Sequence, residues 1–167
     1  MATAGGSGTS ILTDVTFESF GLVKNVLTAL QENDFKFCTG IQAKAVPPLL
    51  KGQDVLGAAK TGSGKTLAFL LPAIQGMVAR HIKHKDGANV LIISPTRELA
   101  IQTYDVAKLL MKNVEQTLGL VIGGGNRSNE AAKLTTGCNL VVATPGRLLD
   151  HIRNTKATHH QNQTKKM

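Results

Sequence analysis

The sequence predicts an α/β domain built on a parallel, doubly wound sheet, and three observations carry that expectation. Four short apolar runs, at 55–58, Val90–Ile93, 118–122 and Leu140–Ala143, have strand length, and Val90–Ile93 is continuous and largely β-branched, as in a strand covered on both faces. Segments whose apolar residues recur at helical spacing follow the runs. Each run ends in a loop carrying glycine, threonine or arginine, at the edge where open parallel sheets hold their ligands.

Bulk composition narrows the classes. The 167 residues make one domain, 42% hydrophobic, with a formal charge of +8. That surplus suits a polyanion such as nucleic acid, whose affinity is dominated by phosphate contacts. With no Trp, one Tyr and five Phe, no aromatic stripe is available to stack splayed bases, so recognition would be of the backbone. Cys38 and Cys138 stand far apart and outside any metal-ligand spacing, and read as reduced intracellular thiols. No apolar run reaches membrane-spanning length, and no basic start with an apolar core opens the chain. A soluble, intracellular, monomeric protein is expected.

Taken in order, residues 1–13 are mostly Gly, Ser, Thr and Ala and read as a disordered tail. Phe17 and Phe20 fall in an extended arm before a helix over 22–31, where Val23, Val26, Leu27 and Leu30 share a face. Thr39 and Gln42 have capping-box spacing and start a second helix toward Leu50, which Pro47 and Pro48 strain or end. Residues 80–87 form a basic loop. The helix after Val90–Ile93 places Leu99, Thr103, Val106, Ala107 and Leu110 on one side, and a brief helix is expected over 129–134. Thr144 as N-cap and Pro145 as first helical residue open the last helix through Leu148, Leu149 and Ile152. The division is therefore a tail at 1–13, an amino-terminal region at 14–43, an α/β body at 44–154 and a polar tail at 155–167.

The chemistry concentrates in Ala59-Lys60-Thr61-Gly62-Ser63-Gly64-Lys65-Thr66, read as a glycine-rich loop between strand and helix. Gly62 and Gly64 permit backbone angles that turn NH groups onto a phosphate chain, Lys65 can reach terminal phosphates, and the Thr66 hydroxyl can bind magnesium. Nucleoside triphosphate binding follows, although Ala59 stands where the generic motif has glycine. Gln42 has two readings: a helix cap, favoured by spacing alone, or an amide pairing with the edge of an adenine that lies on an aromatic ring such as Phe17. Three further strand ends carry Pro95-Thr96-Arg97-Glu98, Gly123-Gly124-Gly125 with Arg127, and Thr144-Pro145-Gly146-Arg147. Each alone is ordinary capping and turn chemistry; together on one edge they can hold a phosphodiester backbone.

Ala59 to Thr66, Gln42 with Thr39, Ile41 and Phe35, and the three arginine-bearing loops in this order resemble the motifs of the DEAD-box ATP-dependent RNA helicases over about 17–153. The resemblance implies a RecA-like P-loop NTPase fold, incomplete at its carboxyl end, with ATP and Mg2+ as cofactors and RNA as partner. It implies that Phe17 stacks on adenine, Gln42 reads its edge, and Thr39 and Lys44 assist. Ala59, Lys60, Thr61, Gly62, Ser63, Gly64, Lys65 and Thr66 hold the triphosphate, Thr66 being the magnesium ligand and Lys65 and Thr66 the catalytic pair. Pro95, Thr96, Arg97, Gly123, Gly124, Arg127, Thr144, Pro145, Gly146 and Arg147 line the RNA path. Asp34 and Cys38 stand where the family usually has glycine and proline. The wording around Ala58 to Thr61 and Asn126-Arg127-Ser128 is most similar to a nucleolar, ribosome-making subgroup, which implies pre-ribosomal RNA, ribosome-assembly proteins as partners and a nuclear, nucleolar location.

The family's next strand ends Asp-Glu-Ala-Asp, whose acids hold magnesium and orient water; here polar residues 155–167 stand in its place. The expectation is the amino-terminal part of such an enzyme, truncated, binding ATP and RNA weakly and not turning over alone. One alternative is a non-catalytic fragment that competes for RNA or a partner; another is a different P-loop enzyme, such as a DNA helicase or small-molecule kinase. In the family's sheet the absent strands lie between the P-loop strand and Val90–Ile93. Two separated sheet pieces with open edges, and poor stability, are therefore expected.

Overall fold

The computed structural model describes residues 11–155. The chain enters as β1 (Leu12–Thr16), paired antiparallel with β2 (Phe37–Thr39). The expected disorder through residue 13 therefore gives way to a strand from Leu12, because β2 supplies its backbone partners. The extended arm at Phe17 and Phe20 is instead a single 3-10 turn, Phe17–Phe20, closed by Gly21 in the left-handed conformation at φ 66°. It leads to α1 (Lys24–Gln31). Beyond β2, α2 (Gly40–Leu50) runs through both prolines, which fall in its final turns and offer their carbonyls to Lys51 at 3.3 and 3.1 Å.

The main sheet has three parallel strands in the order β3 (Val90–Ile93), β5 (Leu140–Ala143), β4 (Leu118–Val121). Central β5 is buried throughout. Leu140 and Val142 belong to the main core with Val26 and Leu30 of α1, Leu70, Leu71, Ile74 and Met77 of α3 (Lys65–Ala79), and Ala100, Ala107 and Leu110 of α4 (Arg97–Leu110). Val141 and Ala143 face a smaller cluster closed by Leu134 of α5 (Arg127–Thr136) and Leu148 of α6 (Pro145–Asn154). Each fully buried Leu, Ile or Met contributes about 2 kcal/mol, so α3 anchors the nucleotide-side loop through four such residues. Helix α5 outgrows its expected bounds because Asn126 caps it, accepting from the Asn129 NH at 3.1 Å.

Two expectations fail at the near edge of the sheet. Residues 55–58 form no strand, with Val55 at 38% and Leu56 at 103% relative exposure. Val90–Ile93 is not covered on both faces either: Leu91 and Ile93 are 50% and 56% exposed. The cause is shared, since among the described residues β3 has only β5 as hydrogen-bonded neighbour. A cleft of about 540 Å³, lined by Val55, Phe69, Leu91, Ile93 and Leu99, lies where a further strand would sit. The result, beside the antiparallel β1–β2 pair, is one three-stranded parallel sheet and an unpaired segment rather than a parallel sheet split into two pieces.

Candidate nucleotide and nucleic-acid site

The glycine-rich loop adopts the backbone its sequence requires, with Gly62 at φ 76° and Gly64 at φ 87°. Gly64 is the N-cap of α3, whose first-turn NH groups have no intrahelical acceptors and point out of the helix with its positive end. The Lys65 ammonium is folded into the loop, donating to the Ala59 carbonyl and, at 2.7 Å, to that of Lys60. Thr66, in the first turn of α3, borders the cleft beside β3. Buried hydroxyls of Ser63 and Thr39 make no hydrogen bond, so two orphaned polar atoms lie at or beside the loop.

Gln42 joins this loop to the amino-terminal region. Its Oε1 accepts from the Thr39 NH at 2.8 Å, the side of the capping box that is fully made, and its Nε2 donates to the Gly64 carbonyl at 3.1 Å. The cap reading is thus realised, and the same amide grips the P-loop. One Nε2 hydrogen and one Oε1 lone pair remain uncommitted. A Cβ on Gly64 would lie 2.4 Å from Gln42 Nε2, so only glycine allows this approach. Phe17, expected to stack on a base, is buried at 2% in the main core with its ring edge-on to Phe20, and so presents no free face. The exposed aromatics nearby are Phe35 and Phe37, the latter beneath Lys36 at 5.4 Å. Lys44 is exposed on α2.

The three remaining loops meet because the strands end level: Ile93, Ala143 and Val121 are register partners across the sheet. A groove of about 790 Å³ results, bordered by Pro95, Thr96 and Arg97 after β3, Gly123 after β4, and Thr144 to Arg147 after β5. Thr96 caps α4, accepting from the Leu99 NH at 3.2 Å, and the starts of α4 and α6 both border the groove. Gly124 lies against the Arg97 guanidinium, where an added Cβ would come within 2.7 Å of Nη1. The other two arginines are already engaged. Arg127 Nε pairs with Asp150 Oδ2 at 2.7 Å, and Arg147 Nε with Glu130 Oε2 at 2.7 Å. The Arg127 guanidinium beside Asp150, with Asn154 assisting, holds that carboxyl below its ordinary value.

A family profile described as DEAD/DEAH box helicase matches residues 39–166. This chain belongs to the DEAD/DEAH box helicase family. It is 53% identical over 150 residues to DEAD-box ATP-dependent RNA helicase 51 of Arabidopsis thaliana, covering 90% of the chain and 26% of that protein. It is 58% identical over 140 residues to ATP-dependent RNA helicase has1 of Schizosaccharomyces pombe, covering 84% and 24%. The crystal structure of a DEAD box protein from the hyperthermophile Methanococcus jannaschii matches with a TM-score of 0.74 at 35% identity, over 83% of this chain and 37% of that one. The chain spans about a quarter of the length of the curated relatives it matches.

As a DEAD-box chain it departs from the usual wording before Thr39, and the structure accommodates both changes. Asp34 adopts φ 58°, a left-handed conformation that glycine takes freely and aspartate tolerates better than most residues. Cys38 is fully buried on β2, where burial pushes its thiol up to about 11. Sequence reasoning missed three residues at or behind the groove: Asp150, which lines it, and Glu130 and His151, buried behind Arg147. Their only sequence signal was polar residues within two helices, which reads as ordinary solvated surface.

Proposed function

We propose that this chain carries the ATP-binding and RNA-gripping surfaces of an ATP-dependent RNA helicase. RNA-stimulated hydrolysis and local duplex opening then belong to a protein of its relatives' length. The observation that carries the reading is the groove formed by three level strand ends, in the same chain as a P-loop whose Gly64 is gripped by Gln42. The orphaned Ser63 and Thr39 hydroxyls and the ammonium within the loop suit an anionic, polar ligand. Ala59 to Thr66 would hold the triphosphate, with Lys65 exchanging carbonyl partners for phosphate and Gln42 offering its free amide hydrogen and lone pair to adenine. Phe35, which shares a cleft with buried Phe17, offers an exposed ring there. ATP supplies the phosphoryl group whose loss drives the cycle. Thr66 would hold Mg2+ through its hydroxyl, and the ion would supply charge to screen the phosphates.

Binding without turnover is the reading for the chain alone. Phosphoryl transfer depends on a water-orienting acid and an arginine positioned beside the P-loop groups, which are expected from the longer protein. The wording around Ala58 to Thr61 and Asn126-Arg127-Ser128 is what favours the narrower assignment to a nucleolar, ribosome-making helicase, with pre-ribosomal RNA and ribosome-assembly proteins as partners.

The test is titration of a fluorescent ATP analogue with Mg2+, competed by ATP and by GTP. ATP should displace it far better, and Lys65→Ala should weaken binding about tenfold to a hundredfold, the range of a charge-assisted contact. Equal displacement by GTP would instead favour a different P-loop enzyme. Adding the chain to an unwinding assay of the longer protein checks the competitor reading, in which it lowers the rate.

A further inference from the structure

Glu130 packs behind the groove against Arg147, one of the residues bordering it, and the function above gives Glu130 itself no role. It lies in the first turn of α5 with its side chain only 10% exposed. Its Oε2 accepts from Arg147 Nε at 2.7 Å and meets His151 Nε2 at 2.9 Å. Its Oε1 lies 2.6 Å from where a Cβ on Gly125 would be. Arg147 closes the ring by donating from Nη2 to the Gly125 carbonyl at 2.6 Å. Behind it, His151 is 1% exposed and places Nδ1 2.9 Å from the Thr155 hydroxyl. One carboxylate thus ties the triple-glycine loop after β4 to the first two turns of α6, two of the three walls of the groove.

The energetics argue against a purely stabilising purpose. An ion pair held out of water regains little beyond its desolvation cost, but losing one partner leaves an uncompensated buried charge. Such a pair enforces geometry more than it adds stability. Arg147 is also poorly placed for a phosphate, since its side chain is 16% exposed and both Nε and Nη2 are committed within the chain.

We propose that Glu130 is a positioning residue of the groove, and that Arg147 acts as its clamp on the triple-glycine loop rather than as a phosphate ligand. The backbone NH groups and Thr144 that face the groove are then held at fixed separation by side chains that never touch RNA. The effect on RNA rests on the RNA-groove reading; the clamp itself does not.

Two readouts separate them. Hydrogen exchange of the whole chain is expected to rise at least about tenfold at 123–126 and 144–148 in Glu130→Gln and in Arg147→Gln, with β5 and α3 as protected as in the parent. Binding of a short oligouridine is expected to weaken about tenfold in each, and no further in the double variant, because the two act as one unit. Tighter binding in Glu130→Gln would mean a freed arginine gripping phosphate, and would overturn the assignment of Arg147. Unchanged exchange at 123–126 would overturn the clamp. If the parent chain fails to bind oligouridine while exchange still rises locally, the clamp stands and the RNA reading falls. Should Glu130→Gln unfold the chain, Gly125→Ala perturbs the same carboxylate from the other side; parent-like exchange in that variant overturns the proposal.

Discussion

Alanine at position 64 tests the junction between Gln42 and the P-loop. The new methyl would stand 2.4 Å from Gln42 Nε2 and 3.2 Å from Thr39 Oγ1, on a backbone with φ 87°. Holding a non-glycine residue in the left-handed region costs about 1–2 kcal/mol. Moving Gln42 aside forfeits its bonds to the Thr39 NH and the Gly64 carbonyl, at about 1 kcal/mol each. In the free protein the loop relaxes and escapes much of this penalty, so the melting temperature changes little. Nucleotide binding must restore the native loop, and about 3 kcal/mol then appears as a roughly hundredfold weaker Kd. Gly62 is the control: its φ is 76°, yet a Cβ there meets nothing within 4 Å. Gly62→Ala therefore bears only the left-handed cost, and about tenfold weaker binding is expected. The measurement is titration of a fluorescent ATP analogue into both variants. An affinity for Gly64→Ala no weaker than that of Gly62→Ala refutes the reasoning, because the difference between them is the Gln42 contact.

Three further outcomes follow from the rest of the structure. Gly137→Ala drives a Cβ to 2.3 Å from the His84 carbonyl at φ 121°; with backbone on both sides, a loss on the order of 3 kcal/mol and a melting temperature lower by about 10 °C are expected in thermal denaturation. Asp150 has its folded pKa lowered by the Arg127 hydrogen bond and then by Asn154. Its contribution is therefore complete above the ordinary aspartate value and disappears as pH falls through the lower folded one. Melting curves of the parent and Asp150→Asn should converge on acidification below about pH 4 and stay apart at neutral pH. Cys38 and Cys138 are both buried and both raised by that burial, Cys38 to about 11. A thiol reagent at neutral pH should label neither until the chain unfolds, so labelling of the native chain faster than its unfolding rate would count against the packing of β2.

How much of this was legible in the residues depends on the range of the interaction that decides each feature. Gly62 and Gly64 announce their backbone angles because only glycine takes them freely, and the P-loop was readable as a unit. The three groove loops could be placed on one edge because parallel strands all end on the same side. The packing of Phe17, buried and edge-on against Phe20, is not announced by sequence spacing, which does not distinguish an aromatic that faces a ligand from one in the core. Residues 55–58 have strand composition but lack a neighbouring strand, and pairing is never encoded in one segment. Glu130 was invisible for the same reason in side-chain form, since its partners Arg147 and His151 lie 17 and 21 residues onward and α5 reads locally as a polar surface helix.

The free side of β3 sets the conditions under which the chain can be handled by itself. Among the described residues it has no strand partner along Val90–Ile93 and is flanked by the exposed side chains of Leu91 and Ile93, with no proline, charge or bulge among those four residues to discourage another strand. Any extended apolar segment, including the same edge of a second molecule, can zip onto it. Self-association should therefore rise with concentration despite a formal charge of +8. A lysine at Leu91, outward-facing on that edge, is the smallest change expected to keep the isolated chain in solution.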